Sequence, residues 1–444
     1  MRSIPSLIVC SILVLAACGN QASEEPARAS TDSRWQAPTR VAEGPASTGP
    51  WRMNDSEFHY LDDATVALLD DNELVVVWAD NERQTLYLQR YDADNQPRFD
   101  DPVSISRSPS VFSWLPRVAF TDDDHIYVLW EEIVFSGGSH GGDIFFARSR
   151  DGGRSFDEPL NLSRTPEGAG KGRLTENRWD NGSLDLRVAA NGDLLAAWST
   201  YEGGLYFRRS VDQGQRFLPR VTVSASEQYP ARAPALAEGP DGTYYLAWAV
   251  GEDPGADLRL ARSGNQGETF GPPRTLLASA GHSDTPALGV DSRGQLHLAY
   301  AESPDGPFGP AQIHYAQLNG DGDVLKSPRR LSNPEDSTQS GRAPSLALDP
   351  EDRLAILWEH QPDPGNRPRG LGIVFSPDAG ERLTPMVVIP GSDDAGGGVN
   401  GSLQGQLARK LSMNSNGQVA VVNSHFLPDD YSRIVLLRGS APDP

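Results

Sequence analysis

Residues Ala147–Phe156 read ARSRDGGRSF, a short acidic turn between an arginine-bearing segment and a phenylalanine. The arrangement returns in RRSVDQGQRF (Arg208–Phe217) and ARSGNQGETF (Ala261–Phe270), and a diverged copy, VFSPDAGERL, covers Val374–Leu383. Each copy places Ser-x-Asp/Asn-x-Gly three residues before a large apolar residue. A loop that performs chemistry is usually needed once, whereas repetition at a spacing of about 50 residues is typical of a propeller or a solenoid.

The repeated turn has a local physical explanation that requires neither metal nor catalysis. Its carboxylate is expected to accept hydrogen bonds from nearby backbone N–H groups, its glycine supplies a left-handed position, and its aromatic residue anchors it. Asn265 replaces the aspartate in the third copy, and an amide oxygen accepts the same bonds, whereas a metal site would tolerate the exchange less readily. We therefore predict structural turns without metal, built from Ser149, Asp151, Gly153, Phe156, Ser210, Asp212, Gly214, Phe217, Ser263, Asn265, Gly267 and Phe270.

Around each turn the sequence repeats four short strand-like segments. The second segments align on an aromatic residue in six of seven copies, and Asn423 takes that place in the last: ELVVVWAD, HIYVLWEE, DLLAAWST, TYYLAWAV, QLHLAYAE, RLAILWEH and QVAVVNSH. Four short antiparallel strands per repeat describe a propeller blade. Several of these segments are apolar almost throughout, as expected for strands that pack on both faces.

The two ends of the repeat region complement each other. The seventh repeat stops after its third strand, and residues 34–42, RWQAPTRVA, match the pattern of a fourth strand ahead of the first blade. We predict an all-β, seven-bladed β-propeller closed by this N-terminal strand, which leaves no unpaired edge at the seam. Six blades with an aberrant extra repeat is the alternative. A row of separate β-sandwich domains would need linkers, and the sequence contains none that we can identify.

The N-terminal segment is predicted to lie outside the fold. After Arg2, IPSLIVCSILVLAAC is an apolar stretch too short to span a membrane as a mature helix. It ends in LAACG, which resembles a bacterial lipobox, so we expect cleavage before Cys18 and lipidation of its thiol. The predicted organisation is a signal peptide over residues 1–17, a polar tether over 18–33 and one propeller domain over 34–444. An ordinary secretory signal is the alternative to a lipid anchor in the bacterial envelope, at the outer membrane.

Composition excludes several classes of partner. A formal charge of -21 and a pI near 4.8 disfavour nucleic acid, because no basic face is available to displace counterions, and favour solubility instead. Cleavage before Cys18 would also remove Cys10, leaving no cysteine for disulfides or thiol catalysis. No cofactor is expected, and the closed single domain favours a monomer.

The turns SRDGGRSF, SVDQGQRF and SGNQGETF resemble the Asp-box (BNR) repeat of the sialidase (neuraminidase) superfamily of β-propellers. FLPDDYSRIVLLRG in the last repeat resembles the closing strand pair of sialidases, so the resemblance covers about residues 57–440. It implies the fold more strongly than an activity. Sialidases use an arginine triad and a tyrosine nucleophile. Here Asp62 or Asp63 stands near the place of the first-blade arginine, and Arg409 and Lys410 occupy the strand where the tyrosine is expected.

Strand direction selects the face where a ligand would bind. The turns follow third strands, so the starts of first strands and the ends of second strands meet on the opposite face, around the central channel. We predict ligand binding there by Arg117, Arg187, Arg232, Arg342 and Trp179. Glu131, Glu359 and His360 are the candidate catalytic residues. Arginine binds planar anions through a bidentate fork, and Glu or His beside it can act as acid or base.

Three hypotheses follow for function. The first is an envelope lipoprotein that binds an anionic carbohydrate and hydrolyses or eliminates it, as a sialidase-like glycoside hydrolase or a polysaccharide lyase. The second is a non-catalytic propeller that serves as a scaffold for an envelope protein. The third is metal binding by histidines of the same face, which is disfavoured because no pair has ligand spacing. For each single arginine or glutamate, pairing with a neighbouring blade is the simpler structural explanation.

Overall fold

The protein is described here by a computed structural model, which covers residues 34–50, 52, 54–106, 111–136, 139–164, 183–200, 203–225, 230–250, 257–279, 281–306, 309–332, 339–363, 367–401 and 409–442. The predicted signal peptide, tether, Cys18 and Trp179 lie outside these residues. Throughout the described residues the regular structure is β-strand, in 31 strands. No helix in this part of the chain has the length and hydrophobicity needed to cross a membrane.

The strands form seven antiparallel blades, which confirms the predicted propeller. Blades 1 to 6 each run in sequence order from their inner to their outer strand. Blade 1 contains Leu61–Leu68, Leu74–Asp80, Thr85–Tyr91 and Val103–Ser104. Blade 2 contains Ser113–Phe120, Ile126–Ser136, Ser139–Ser149 and Leu160–Asn161. Blade 3 contains Leu184–Val188, Leu194–Ser199, Gly204–Ser210 and Val221–Ala225.

The next three blades keep the same order. Blade 4 contains Ala231–Glu238, Tyr244–Val250, Asp257–Ser263 and Arg274–Leu276. Blade 5 contains His282–Val290, Leu296–Ser303, Gln312–Leu318 and Val324–Arg330. Blade 6 contains Ser340–Leu348, Leu354–Gln361, Leu371–Ser376 and Val387–Val388.

Blade 7 closes the ring with both ends of the domain. Its second and third strands, Gln418–Leu427 and Tyr431–Ser440, pair with each other, and the N-terminal strand Thr39–Gly44 pairs with Tyr431–Ser440 as the outer strand. Two short segments, Val399–Asn400 and Leu411–Met413, share the inner edge. The predicted closure is therefore confirmed, and the strand begins five residues after the start of RWQAPTRVA and ends two residues after its end. A small hairpin, Ser47–Thr48 with Phe58–His59, follows the N-terminal strand.

The repeated aromatic residue of each second strand explains why the blades stack. Its side chain is at most 2% exposed in all six blades that have it, namely Trp78, Trp130, Trp198, Trp248, Tyr300 and Trp358. These strands are buried on both faces, because each blade packs against its neighbours. Blade 7 differs, since Asn423 is fully buried and accepts a hydrogen bond from Lys410 Nζ at 2.8 Å.

The Ser-x-Asp-x-Gly turns have nearly the same hydrogen bonds in every copy. In blade 3, Ser210 Oγ donates to Asp212 Oδ1 at 2.9 Å, and the backbone N–H groups of Gly214 and Arg216 donate to Ser210 Oγ and Asp212 Oδ1, both at 2.9 Å. In blade 4, Asn265 Oδ1 takes the acceptor role, with Ser263 Oγ at 2.8 Å. The amide thus replaces the carboxylate without change of geometry.

Each turn also contacts the preceding blade. Phe217 packs edge-to-face on Phe146 of blade 2, with ring centroids 4.9 Å apart. Gly214 has φ of 79°, and a Cβ there would lie 2.6 Å from Phe146. Gly267 and Phe207 repeat this relation between blades 4 and 3, with a Cβ distance of 2.4 Å. The turn therefore needs glycine for its backbone and for its fit, and it fastens one blade to the next.

A bulge interrupts the first strand in five blades, and it sets the position of the side chains that precede it. The residues with positive φ at this place are Asp63, Leu115, Ala233, Thr285 and Ala343, and the pairing register shifts across each. In all but blade 1 a proline follows. A bulge bends the strand and redirects its side chains, so one sequence pattern gives equivalent positions on one face of the ring.

Candidate functional site

The face opposite the Ser-x-Asp-x-Gly turns is called the top face below. It is made by the starts of first strands and the ends of second strands, as in blade 6, where Ser340 pairs with Gln361. The antiparallel order of every blade brings these ends together. All predicted binding and catalytic residues within the described part of the chain belong to these strands.

Three consecutive blades place a charged side chain at one equivalent position on the top face. Arg232 in blade 4, Asp284 in blade 5 and Arg342 in blade 6 each directly precede the bulge residue. Their contexts, ARAPAL, SDTPAL and GRAPSL, match in sequence. The sequence analysis identified the two arginines from this pattern but missed Asp284, although the Thr-Pro-Ala-Leu that follows it was the available signal.

Arg232, His282 and Asp284 form a cluster between blades 4 and 5. Arg232 Nε donates to Asp284 Oδ1 at 3.1 Å, and Arg232 Nη2 lies 2.9 Å from His282 Nε2. The second carboxylate oxygen of Asp284 is 3.6 Å from the same imidazole nitrogen. The Arg232 and Asp284 side chains remain 15% and 18% exposed, so ligand can reach them, whereas His282 is buried beneath.

The cluster holds a defined protonation state. Burial raises the pKa of Asp284, but the charge of Arg232 and its hydrogen bond outweigh this and keep that pKa below its ordinary value. A guanidinium only donates, so the 2.9 Å contact requires an unprotonated Nε2 on His282 and places the imidazole proton on Nδ1. His282 Nδ1 is buried without a hydrogen-bond partner among the described residues.

Arg342 is held differently from Arg232. Its Nη2 donates to the backbone carbonyl of Gly309 at 2.6 Å. Glu359 lies opposite it on the neighbouring strand. The Glu359 carboxylate instead contacts Lys410 and Asn400 of blade 7. The Gly309 carbonyl is one of the groups that hold Arg342, which is half-buried on the top face.

Arg117, Asp185 and Arg409 lie at the mouth of the central channel. Asp185 accepts a hydrogen bond from Arg409 Nη2 at 2.7 Å, and its other oxygen is 4.0 Å from Arg117 Nε. Burial, opposed by Asp185, lowers the pKa of Arg117 to about 10, so it is still a cation at neutral pH. A small, partly open cavity of about 30 Å³ lies here, and Arg117 and Arg409 are among the residues that line it. This is room for about one water molecule.

The other predicted residues are not gathered with the Arg232 cluster. Glu131 is 1% exposed and Glu359 is 3% exposed. His360 lines a separate cavity of about 330 Å³ between blades 6 and 7, with Arg369 and Asp394. Burial lowers the pKa of His360. Arg187 is partly buried, and burial lowers its pKa against the effect of Asp185.

Lys410 belongs to a buried network that joins blades 6 and 7. Its ammonium contacts the Glu359 carboxylate and donates to Asn423 Oδ1 at 2.8 Å. Asn400 Nδ2 donates to the other oxygen of Glu359, and Asn400 Oδ1 accepts from Asn423 Nδ2 at 2.9 Å. Among the described residues, no group of three or more His, Cys, Asp or Glu is arranged to hold a metal ion.

Known proteins resemble this chain in fold but not in sequence. No protein-family model matches it, and a search of curated proteins finds no relative. The solved structure of the polysaccharide lyase Uly1 covers 92% of this chain and 99% of its own, with a TM-score of 0.56 and 10% identity. A PL25 ulvan lyase covers 90% and 95%, with a TM-score of 0.53 and 13% identity.

A structure of PL25 ulvan lyase with bound -[GlcA(1-4)Rha3S]- matches with a TM-score of 0.51 and 13% identity, covering 90% of this chain and 95% of its own. A Hadza microbial sialidase, Hz136, matches at a TM-score of 0.45 with 13% identity, covering 79% and 73%. That last similarity is too low to bear on function. The neighbours are carbohydrate-active β-propellers, and at these identities the likeness establishes the fold.

Proposed function

We propose that this chain binds an anionic polysaccharide on the top face, at the rim formed by Arg232, Asp284 and Arg342. The observation that carries the proposal is the alternation of two arginines about one carboxylate at equivalent, partly exposed positions of three neighbouring blades. An arginine fork recognises a carboxylate or a sulfate through paired hydrogen bonds. Asp284 and His282 fix the guanidinium of Arg232, so less entropy is lost when a ligand binds.

Overall charge argues that the attraction is local. The chain carries a formal charge of -21, so a polyanion is repelled at long range. Binding must therefore come from short contacts at the rim. A uronate polymer with sulfate groups offers one anion for each arginine, and the bound oligosaccharide of the PL25 ulvan lyase has this character in its GlcA and Rha3S units.

Cleavage would require an acid or base within reach of the bound sugar. His282 is the nearest candidate base, but Arg232 Nη2 occupies its Nε2 at 2.9 Å while the guanidinium is held in place. In a β-elimination the base would take the proton next to the carboxyl group, a C=C bond would form as the C–O bond to the neighbouring sugar broke, and the leaving oxygen would take a proton from water. His282 is only 4% exposed, so binding is the primary proposal and turnover is the outcome that the assay decides.

The test is binding of the full chain to ulvan, to an unsulfated uronate polymer, to a sialoside and to a neutral glucan, by titration calorimetry. We expect binding to the acidic polymers and none to the glucan. Arg232→Ala and Arg342→Ala should each weaken binding by about tenfold or more, since charge-assisted hydrogen bonds are lost. Formation of an unsaturated uronate, measured by ultraviolet absorbance, distinguishes elimination from hydrolysis.

Arg216→Ala is the matched control, because this arginine is exposed on the opposite face and pairs with Asp212 of its own turn. It should leave binding unchanged. Equal affinities of all three variants, or absence of binding to every acidic polymer, would overturn the proposal.

A second function, a non-catalytic scaffold for an envelope protein, is favoured by one observation. The cavity at the mouth of the channel has a volume of only about 30 Å³, and prolines of blades 4, 5 and 6 line it. A scaffold would need no deeper pocket. Saturable binding of acidic oligosaccharide that depends on Arg232 would exclude it as the main role.

We further propose that the chain is a bacterial lipoprotein anchored through Cys18 at the outer membrane. The support is LAACG at the end of an apolar segment, followed by a polar stretch before the propeller. Metabolic labelling with a clickable fatty acid should mark the chain, and Cys18→Ser should abolish the label. A labelled Cys18→Ser variant would contradict this proposal.

A further inference from the structure

The cavity of about 330 Å³ that His360 lines between blades 6 and 7 is called the His360 cavity below, and it shares no residue with the rim of Arg232, Asp284 and Arg342. Its volume lies at the lower end of the range of pockets that bind small organic ligands, roughly 300–1,000 Å³. Its apolar wall is formed by Pro362, Val388, Ile389 and Pro390. The cavity therefore has room for one small organic molecule and an apolar surface for it to contact.

Three polar side chains of this cavity have no hydrogen bond or ion pair among the described residues, namely those of His360, Arg369 and Asp393. His360 is only 6% exposed, so its imidazole belongs to the inner wall. Arg369 and Asp393 are exposed and stand at the entrance. Because buried polar groups in folded proteins are hydrogen-bonded, the imidazole is expected to find its partner in whatever occupies the cavity.

The imidazole of His360 is accessible from the cavity. Neither of its ring nitrogens is fully enclosed, whereas His282 Nδ1 and His297 Nε2 are buried without a partner. Burial lowers the pKa of His360, so the ring is neutral at pH 7. A neutral imidazole has one N–H donor and one acceptor nitrogen. Hydroxyl groups, which both donate and accept, match this pair of nitrogens.

The loop on the blade 7 side of the cavity is held in place by its own hydrogen bonds. Asp394 accepts from the backbone N–H groups of Gly396 and Gly398 at 3.1 and 2.9 Å, and from the Tyr431 hydroxyl at 2.6 Å. A Cβ on Gly398 would lie 2.3 Å from Asp394 Oδ2, so this close contact requires glycine. Asp394 is thereby occupied, and a preformed wall reduces the entropy that is lost on binding.

The uncharged interior indicates the kind of ligand. A charged group placed against His360 and the apolar wall would lose its hydration without meeting an opposite charge, because Arg369 and Asp393 stand at the entrance. A hydroxyl group can accept from arginine, donate to aspartate and do either with imidazole. We propose that the His360 cavity binds one neutral sugar unit of hexose size, with its hydroxyl groups on His360, Arg369 and Asp393 and its C–H groups against the apolar wall.

This site does not rest on the proposed function, although the two lie close in the fold. His360 pairs with Gly341, and Arg342 of the rim follows directly. The rim recognises negative charge, whereas the His360 cavity offers a neutral interior. Each site is therefore tested with its own probe.

The probes are D-glucose, D-galactose and D-mannose, which are neutral and differ in the orientation of single hydroxyl groups. Glutamine, a zwitterion with no hydroxyl side chain, is the comparison. The full chain, labelled with ¹³C in its histidine rings, is titrated with each probe, and the resonance lost in His360→Gln identifies His360. We expect at least one hexose to shift this resonance in a saturable manner, and glutamine to leave it unchanged.

Val388→Trp tests the cavity without touching the imidazole. Val388 is 40% exposed, so the fold should tolerate the larger side chain, which fills the cavity and should abolish the hexose-induced shift. Leu325→Trp is the matched control, because Leu325 is a similarly exposed apolar residue on the outer strand of blade 5. It should leave the shift unchanged.

His360→Leu removes both ring nitrogens and should weaken hexose binding by about tenfold or more, as measured by saturation-transfer NMR on the sugar. His360→Gln should retain more affinity, because an amide also donates and accepts. If His360→Leu fails to fold, Val388→Trp decides.

No shift with any of the three hexoses, an unchanged shift in Val388→Trp, or a response to glutamine alone would overturn the proposal. Arg232→Ala should leave the hexose response intact. A chain that binds a hexose here but no acidic polymer would keep this site and lose the proposed function.

Discussion

The two faces of the ring differ in how their charged side chains are paired. On the face of the Ser-x-Asp-x-Gly turns, some charges pair within one turn, as Arg216 with Asp212 and Arg382 with Asp378 do. Exposed pairs such as Arg262 with Asp321 also join neighbouring blades on this face. On the top face, charges pair between blades, as Arg232 with Asp284 and Lys410 with Glu359 do. The turn repeats because its serine and aspartate satisfy their hydrogen bonds within the turn, whereas each buried charge pair of the top face depends on a particular neighbouring blade.

The loss of stability should be largest when the buried ion pair between blades 6 and 7, Lys410 with Glu359, is broken. Lys410→Met leaves the Glu359 carboxylate buried without its cation, and we expect the free energy of unfolding to fall by about 3–5 kcal/mol. Urea unfolding followed by tryptophan fluorescence measures this.

The matched change on the other face is Arg382→Met, which removes an exposed partner of Asp378 and should cost less than about 1 kcal/mol. The double variant Lys410→Met with Glu359→Gln should recover part of the loss. Similar losses in Lys410→Met and Arg382→Met would contradict the comparison.

The close packing of each turn against the preceding blade predicts the next loss of stability. Gly214→Ala introduces a Cβ 2.6 Å from Phe146 at a position with φ of 79°, so it adds overpacking to backbone strain and should destabilise by about 2–3 kcal/mol. Gly192→Ala, at φ of 84° with nothing within 4 Å, should cost only about 1 kcal/mol. Thermal unfolding of both variants isolates the inter-blade contact, and equal costs would show that backbone strain alone accounts for the glycine.

An aspartate-to-asparagine substitution can be made on each face, and its effect on stability can be compared between the two faces. Asp212→Asn should change stability by less than about 0.5 kcal/mol, because Asn265 performs the same role in blade 4. Asp284→Asn should cost about 1–2 kcal/mol, because Arg232 loses its charged partner. Denaturant titrations at pH 7 measure both. A neutral Asp284→Asn would mean that the Arg232 cluster contributes little to the fold.

The last effect depends on pH and concerns Asp63 in the bulge of blade 1. Burial, and then the charge of Asp62, raise the pKa of Asp63 to about 8. The folded state therefore keeps a proton that the unfolded chain releases above about pH 4, so this group lowers stability as pH rises from about 4 to 8, by at most about 1.4 kcal/mol per pH unit.

Asp63→Asn removes that dependence, so its stability relative to the unmodified chain should improve between pH 5 and pH 7. Unfolding curves at three pH values in this range test it. Asp284→Asn is the control: its carboxyl has a lowered pKa and contributes stability that is lost only as pH falls below the ordinary range. Parallel curves for Asp63→Asn and the unmodified chain would contradict the assignment.

Much of the architecture could be predicted from the amino-acid sequence. The spacing of ARSRDGGRSF and its copies predicted the propeller, the aromatic positions located the second strands, and RWQAPTRVA indicated the closure. These features are local, since a turn or an alternating strand satisfies its own hydrogen bonds. Arg232 and Arg342 could be placed on the top face for the same reason, by strand direction alone.

The tertiary structure alone decided which of these side chains meet. Asp284 and His282 lie some 50 residues after Arg232, and Asp185 lies 224 residues before Arg409, so only the stacking of blades brings them together. The sequence predicted Glu359 as a candidate catalytic residue, whereas in the folded chain its carboxylate forms an ion pair with Lys410. A repeat determines its own backbone from its own residues, whereas the charge of a site depends on contacts between repeats, which ring closure creates.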